Sequence, residues 1–149
     1  MVFWRTMLFL HLLGAGVWTG GHLLLALRVL PGALRSRDPE PVRRFEALFE
    51  PIGLPALLIQ IATGLALGYR LLPGWAAWLE LGSPLARNLA LKLLLLFLTL
   101  ALAVHARLRL IPRLDAERLP ALAVHIAAVT GLALLFMLVG LGFRTGGLF

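Results

Sequence analysis

Four long apolar stretches dominate the chain, separated by short runs of charged residues, prolines and glycines. The first runs from about Phe3 to Leu30 and the second from about Pro51 to Leu72. The third is apolar from about Leu85 to Ala106, with its helix continuing to Leu110, and the fourth runs from about Leu119 to Gly142. A membrane-spanning helix needs about 20 mostly apolar residues, and every stretch meets that length. All four are rich in Leu and Ala and lack the period-2 alternation of a membrane barrel. The pattern predicts an all-α integral membrane protein, with residues 1–149 forming a single four-helix bundle.

The connections carry the expected stop signals. Pro31-Gly32 is expected to end the first helix, because proline cannot continue the hydrogen-bond ladder and glycine suits the exit turn. Pro73-Gly74 is expected to end the second in the same way, and Pro112 and Pro120 bracket the turn before the fourth. The first connection, Leu34 to Glu50, is the longest. Within it Phe45, Leu48 and Phe49 follow helical spacing, with Arg43, Arg44 and Glu46 opposite. This reads as an amphipathic extension of the second helix lying at the membrane interface, kinked or broken from it at Pro51 and Pro55.

Composition narrows the class. Hydrophobic residues make up 60% and charged residues 14%, far from the roughly 25% charged of a soluble domain. Disorder is excluded for the same reason. There is no cysteine, which excludes disulfides, thiolate metal sites and iron–sulfur clusters. The net charge of +7 then orients loops rather than binding nucleic acid. Arg28, Arg35, Arg37, Arg43, Arg44, Arg107, Arg109, Arg113 and Arg118 fall on one side. Arg5, Arg70, Arg87, Lys92 and Arg144 fall on the other. The positive-inside rule places both termini outside and the first and third connections in the cytoplasm, in the cell (inner) membrane. Trp4, Trp75 and Trp78 then form an outer aromatic belt. The first segment is too long for a signal-peptide core and is expected to remain as a helix.

Ionisable groups within a membrane helix are costly and are functional candidates by default. Here they are His11, His22, Lys92, His105 and His125; all four histidines fall within the spans. His11 and His22 are eleven residues apart, which returns them to within about 20° of one helix face at an axial separation of about 16 Å. Gly14 and Trp18 lie close to that stripe, Gly16 and Gly20 form a small-xxx-small pair with Gly21 beside it, and such glycines let a helix or a flat macrocycle approach the backbone. His22, His105 and His125 reach similar depths in the cytoplasmic half and are expected to converge there. Imidazole pairs suit haem iron, and three imidazoles suit copper or zinc. His11 stands in the outer half with Lys92, Met7 and Met137 at comparable depth. The bland readings are a helix–helix hydrogen bond for each histidine and snorkelling for Lys92. No Walker loop, dinucleotide fingerprint or nucleophile elbow is present. All seven acidic residues lie in connections or at helix ends, which disfavours a hydrolase or a carboxylate-driven proton pump.

The opening His11-Leu-Leu-Gly14-Ala-Gly16-Val-Trp18-Thr-Gly20-Gly21 resembles the start of two related families. These are the four-helix copper-resistance D domain and the J-type protoporphyrinogen oxidases. Arg43-Arg44-Phe45 and Lys92 in Leu-Ala-Leu-Lys-Leu-Leu-Leu-Leu fit both. Arg107-Leu-Arg109-Leu-Ile-Pro112-Arg113-Leu114 leans towards the copper family, and the stand-alone four-helix length towards the oxidases. The oxidase resemblance implies haem b and oxidation of protoporphyrinogen, with the family's histidine and lysine carried onto His11 and Lys92. The copper resemblance implies copper uptake or handling through membrane histidines and methionines. The chain has only 3 Met, which disfavours a thioether copper relay. The extra histidines His22, His105 and His125 favour one or two bis-histidine haems.

The sequence is therefore expected to encode a haem b-binding membrane redox protein, an oxidoreductase or electron carrier. Its partners would be the lipid bilayer and a quinone, a porphyrinogen or a redox protein, and a homodimer is permitted. Copper transport or binding is the alternative, and a structural subunit the third reading. All five ionisable residues are cofactor-binding candidates, with the four histidines as ligands to iron or to copper.

Overall fold

The computed structural model describes residues 1–78 and 81–145, the last two as backbone only. Four helices in it are long and apolar enough to cross a membrane. Helix α1 spans Val2–Ser36 and α2 spans Glu40–Leu71. A short 3-10 turn, Trp75–Trp78, precedes α3, Pro84–Arg113. Helix α4 spans Leu119–Thr145. Among the described residues there is no strand.

Helices α1 and α2 are longer than the prolines suggest. Pro31 does not end α1, which runs on to Ser36. The reason is a π turn over Leu25–Val29, where the N–H of Leu30 reaches back to the Leu25 carbonyl. This wider turn places Pro31 at the start of the next α-helical segment, where its missing N–H and fixed φ do least harm. The same device recurs in α3, where a π turn over Ala106–Leu110 precedes Pro112. The chain leaves α1 at Arg37, in the left-handed region at φ 53°, with the Asp38 N–H bonded to the Ala33 carbonyl at 3.1 Å.

Helix α2 starts at Glu40, so the long first connection shrinks to residues 37–39. The helix passes through Pro51 and Pro55 without a break. A membrane helix tolerates such prolines when neighbouring groups absorb the freed backbone carbonyls. The expected interfacial extension is thus part of the span. Phe45 and Phe49 turn inward against α1, while Leu48 stays 76% exposed.

The other boundaries follow their local chemistry. Leu72 N–H closes α2 onto the Gly68 carbonyl, and Gly74 takes φ +96°, a conformation that favours glycine. Ser83 caps α3 by accepting from the Ala86 N–H at 3.1 Å, with Pro84 in the first turn.

Helix α1 packs along α2, α3 packs along α4, and α1 also meets α4. The backbones of α2 and α3 barely approach one another, which leaves a seam bridged by side chains such as Leu89 against Gly68. The closest crossing is at Gly14: a Cβ there would lie 2.7 Å from the Ala56 carbonyl oxygen. The core fills two zones. Leu25, Leu30, Ala33, Val42, Leu114, Leu119, Leu122 and Ile126 cluster at the arginine-rich end. Trp18, Leu57, Val129 and Ala133 cluster near the middle. Thr63, Thr99 and Thr130 are buried and return their hydroxyls to the carbonyl four residues back. Large apolar side chains such as Phe9 and Phe97 point outward, as lipid-facing residues do. Gly16 and Gly20 have no neighbour within 4 Å, so they do not form the helix contact their spacing suggested.

The opposite end is rich in tryptophan. The rings of Trp75 and Trp78 meet tilted at 4.8 Å, those of Tyr69 and Trp75 tilted at 5.3 Å, and Arg70 lies over Trp4 at 4.7 Å. Trp4, Trp75 and Trp78 therefore share one end of the bundle. The side chain of Arg144, counted on that end from sequence, lies outside the described residues.

Candidate functional site

The histidines divide between two levels. His22, His105 and His125 lie towards the arginine-rich end, and His11 lies towards the tryptophan end.

His22 sits one turn after Trp18 on α1. Its Nδ1–H donates to the Trp18 carbonyl at 2.9 Å. That bond fixes the tautomer and leaves Nε2 with a free lone pair. The Trp18 indole lies 4.5 Å from the imidazole, and the Phe49 ring meets it edge-on at 5.9 Å. Phe49 sits there because two glycines make room. A Cβ at Gly21 would lie 2.2 Å from the Phe49 ring, and one at Gly53 would lie 2.6 Å away. The face of α1 that sequence spacing offered to a macrocycle is thus filled by the protein, with Phe49 at Gly21 and the α2 backbone at Gly14.

His105 and His125 meet across the α3–α4 hairpin, with ring centroids 5.6 Å apart. This is the pairing that their similar depth predicted. His105 is exposed, whereas His125 is half-buried. The Nε2 of His125 is buried and has no hydrogen-bond partner among the described residues.

His22 and His125 line one cavity of about 130 Å³. The three histidines thus approach in steps, His22 to His125 through the cavity and His125 to His105 by ring contact. Among the described residues no group of three or more metal-ligating side chains closes around a common point. Two facing imidazoles with exogenous ligands are what this arrangement offers a metal ion.

Sequence reasoning missed two carboxylates here. Glu46 and Glu50 line the same cavity, with Arg107 from α3. Arg107 pairs with Glu50 across the open seam. The signal was present: a four-residue spacing puts Glu46 and Glu50 on one helix face. It was hidden because this stretch read as an amphipathic extension at the membrane interface, with Glu46 on its polar face. Arg43, read as a topology signal, donates to the Leu114 carbonyl and ties α2 to the last connection.

His11 makes a helix-to-helix contact instead. Its Nδ1–H donates to the Gln60 carbonyl at 2.9 Å, with the Thr63 hydroxyl oxygen at 3.2 Å. Gly64 leaves room for the ring: a Cβ there would lie 2.9 Å from His11 Cε1. Lys92 reaches towards the tryptophan end, with Nζ 5.2 Å from the Phe143 ring centroid and against Gly140. The side chain is half-buried against α4, and its charge is near enough to act on His11. Met137 is 51% exposed, away from any shared site with His11.

A family model described as copper resistance protein D matches residues 42–143. The matched region contains Glu46, Glu50, Lys92, Arg107, His105 and His125 and stops short of His11 and His22. No curated protein matches, and no solved structure matches.

Proposed function

The chain belongs to the copper resistance protein D family, and from that premise we propose that it handles copper within the membrane. The copper ion is its cargo, bound at the arginine-rich end by His22 and His125. Family membership carries this reading. The chemistry of the donors supports it: imidazole nitrogen suits copper, and both rings line one cavity, with no hydrogen-bond partner for either Nε2 among the described residues. His105, whose ring lies tilted against His125, is the adjacent ligand through which an exposed ion would arrive or leave. With only 3 Met in the chain, imidazoles take the part that thioethers play in a methionine relay.

His11 has a structural role in this reading, as a hydrogen bond between α1 and α2. Lys92 anchors α3 at the tryptophan end. The positive-inside rule then sets the arginine-rich end in the cytoplasm and both termini outside, in the inner membrane of the cell.

Equilibrium copper binding to the purified protein in nanodiscs, read by metal analysis, tests the proposal. The wild type is expected to retain close to one copper per chain. His22→Ala and His125→Ala should each weaken retention at least tenfold, and His11→Ala should leave it unchanged. A protein that retains no copper, or one that carries stoichiometric haem with a Soret band, overturns the copper reading. The second result would restore a haem b redox function.

A further inference from the structure

The cavity between α2 and α3 contains more than the two histidines need. The Trp18 side chain is 8% exposed, yet its indole N–H has no acceptor. An indole N–H can only donate, and an orphaned buried donor costs about 1–3 kcal/mol. The Nε2 of His125, on the same cavity, is also without a partner. A cavity of about 130 Å³ has room for several waters at roughly 30 Å³ each.

The charge inside the cavity is opposite to the charge around it. This end of the bundle carries many exposed arginines. The cavity itself holds two carboxylates, Glu46 and Glu50, against one guanidinium, Arg107. Arg107 is bound to Glu50. Glu46 makes no salt bridge, although it lies within the field of both. Among the described residues, one carboxylate therefore has no ion-pair partner of its own, beside the seam where the α2 and α3 backbones stand apart.

We infer that this cavity is a water-filled vestibule selective for cations, opening through the seam between α2 and α3, and that Glu46 sets its selectivity. The Arg107–Glu50 bridge spans the seam as an internal counter-ion that an arriving cation displaces. The inference deepens the copper reading and rests on it only for the identity of the cargo.

The absence of native cysteine makes the test direct. Ala103 lines the cavity, and Ala103→Cys gives the chain one thiol. In membrane vesicles its modification rate is measured with a trimethylammonium methanethiosulfonate and with the sulfonate reagent of similar size. Each rate is divided by that of a small free thiol. The cationic reagent is expected to win. Adding Glu46→Gln should lower its advantage by about tenfold, the effect of one charge roughly 6 Å away in a partly hydrated site. Arg107→Ala should raise the advantage. Ala106→Cys, on the same cavity, is the second reporter if the first does not fold. A thiol that resists both reagents in the folded protein overturns the proposal, as does a charge preference indifferent to Glu46. These rates need no copper, so they decide the vestibule separately from the copper titration.

Discussion

At the scale of single residues, glycine shows most clearly what the sequence reveals and what it hides. The chain has 15 Gly, and spacing alone grouped Gly14, Gly16, Gly20 and Gly21 together. The structure separates them by what a methyl group would strike. At Gly14 it would meet the Ala56 carbonyl, a backbone atom, at 2.7 Å, whereas at Gly16 it would meet nothing within 4 Å. Gly14→Ala is therefore expected to cost about 1–3 kcal/mol through overpacking, and Gly16→Ala to be neutral or slightly stabilising. Thermal unfolding in detergent reads the difference, and equal effects would contradict the close α1–α2 crossing. The histidines divide in a similar way. That all of them lie in spans was legible, and so was the pairing of His105 with His125. That His11 spends its Nδ1–H on the Gln60 carbonyl was not legible, because no local pattern encodes a contact 49 residues away. His11→Ala should cost about 0.6–1.7 kcal/mol, the range of interhelical hydrogen bonds in membranes.

At the scale of helices, length and hydropathy made all four visible, but proline misled at both ends of the first connection. The rule that proline stops a helix holds where water competes for the freed backbone. In α1 a π turn re-registers the ladder ahead of Pro31, and in α2 the helix continues through Pro51 and Pro55. The consequence reached the site: once residues 40–50 run straight into the span, Glu46, Phe49 and Glu50 become cavity residues instead of part of an interfacial extension. The arginines also differ by what they touch. Arg43 bonds the Leu114 carbonyl, which joins α2 to the connection before α4. Arg44 pairs only with Glu40 one turn away, on the surface. Arg43→Ala is expected to destabilise by about 1.5–3 kcal/mol, as loss of a charge-assisted hydrogen bond does. Arg44→Ala should cost at most about 0.5 kcal/mol. Protease sensitivity of residues 114–118 should rise in the first variant and stay unchanged in the second.

For the molecule as a whole, the bundle is two close hairpins, α1–α2 and α3–α4, joined mainly through α1 and α4. All four helices line the cavity, with its two carboxylates on α2, Arg107 on α3 and the histidines His22 and His125 on α1 and α4. Tryptophans gather at one end and arginines at the other, as the pattern of spans and connections predicted. The fold class and the family were legible because both rest on long apolar runs and short linear motifs. The choice between haem and copper was not, because imidazole suits both and it is the family match that favours copper; nor was the filling of the space beside His22. Phe49 fills that space, held between Gly21 and Gly53, and no spacing rule pairs a residue of α2 with two glycines on different helices. The central claim is that His22 and His125 jointly bind copper, and X-ray absorption of the copper-loaded protein tests it most directly. The account predicts a spectrum with the multiple-scattering signature of two imidazoles and no sulfur neighbour, one imidazole being lost in His125→Ala. A spectrum without imidazole scattering, or one unchanged by His125→Ala, would contradict it.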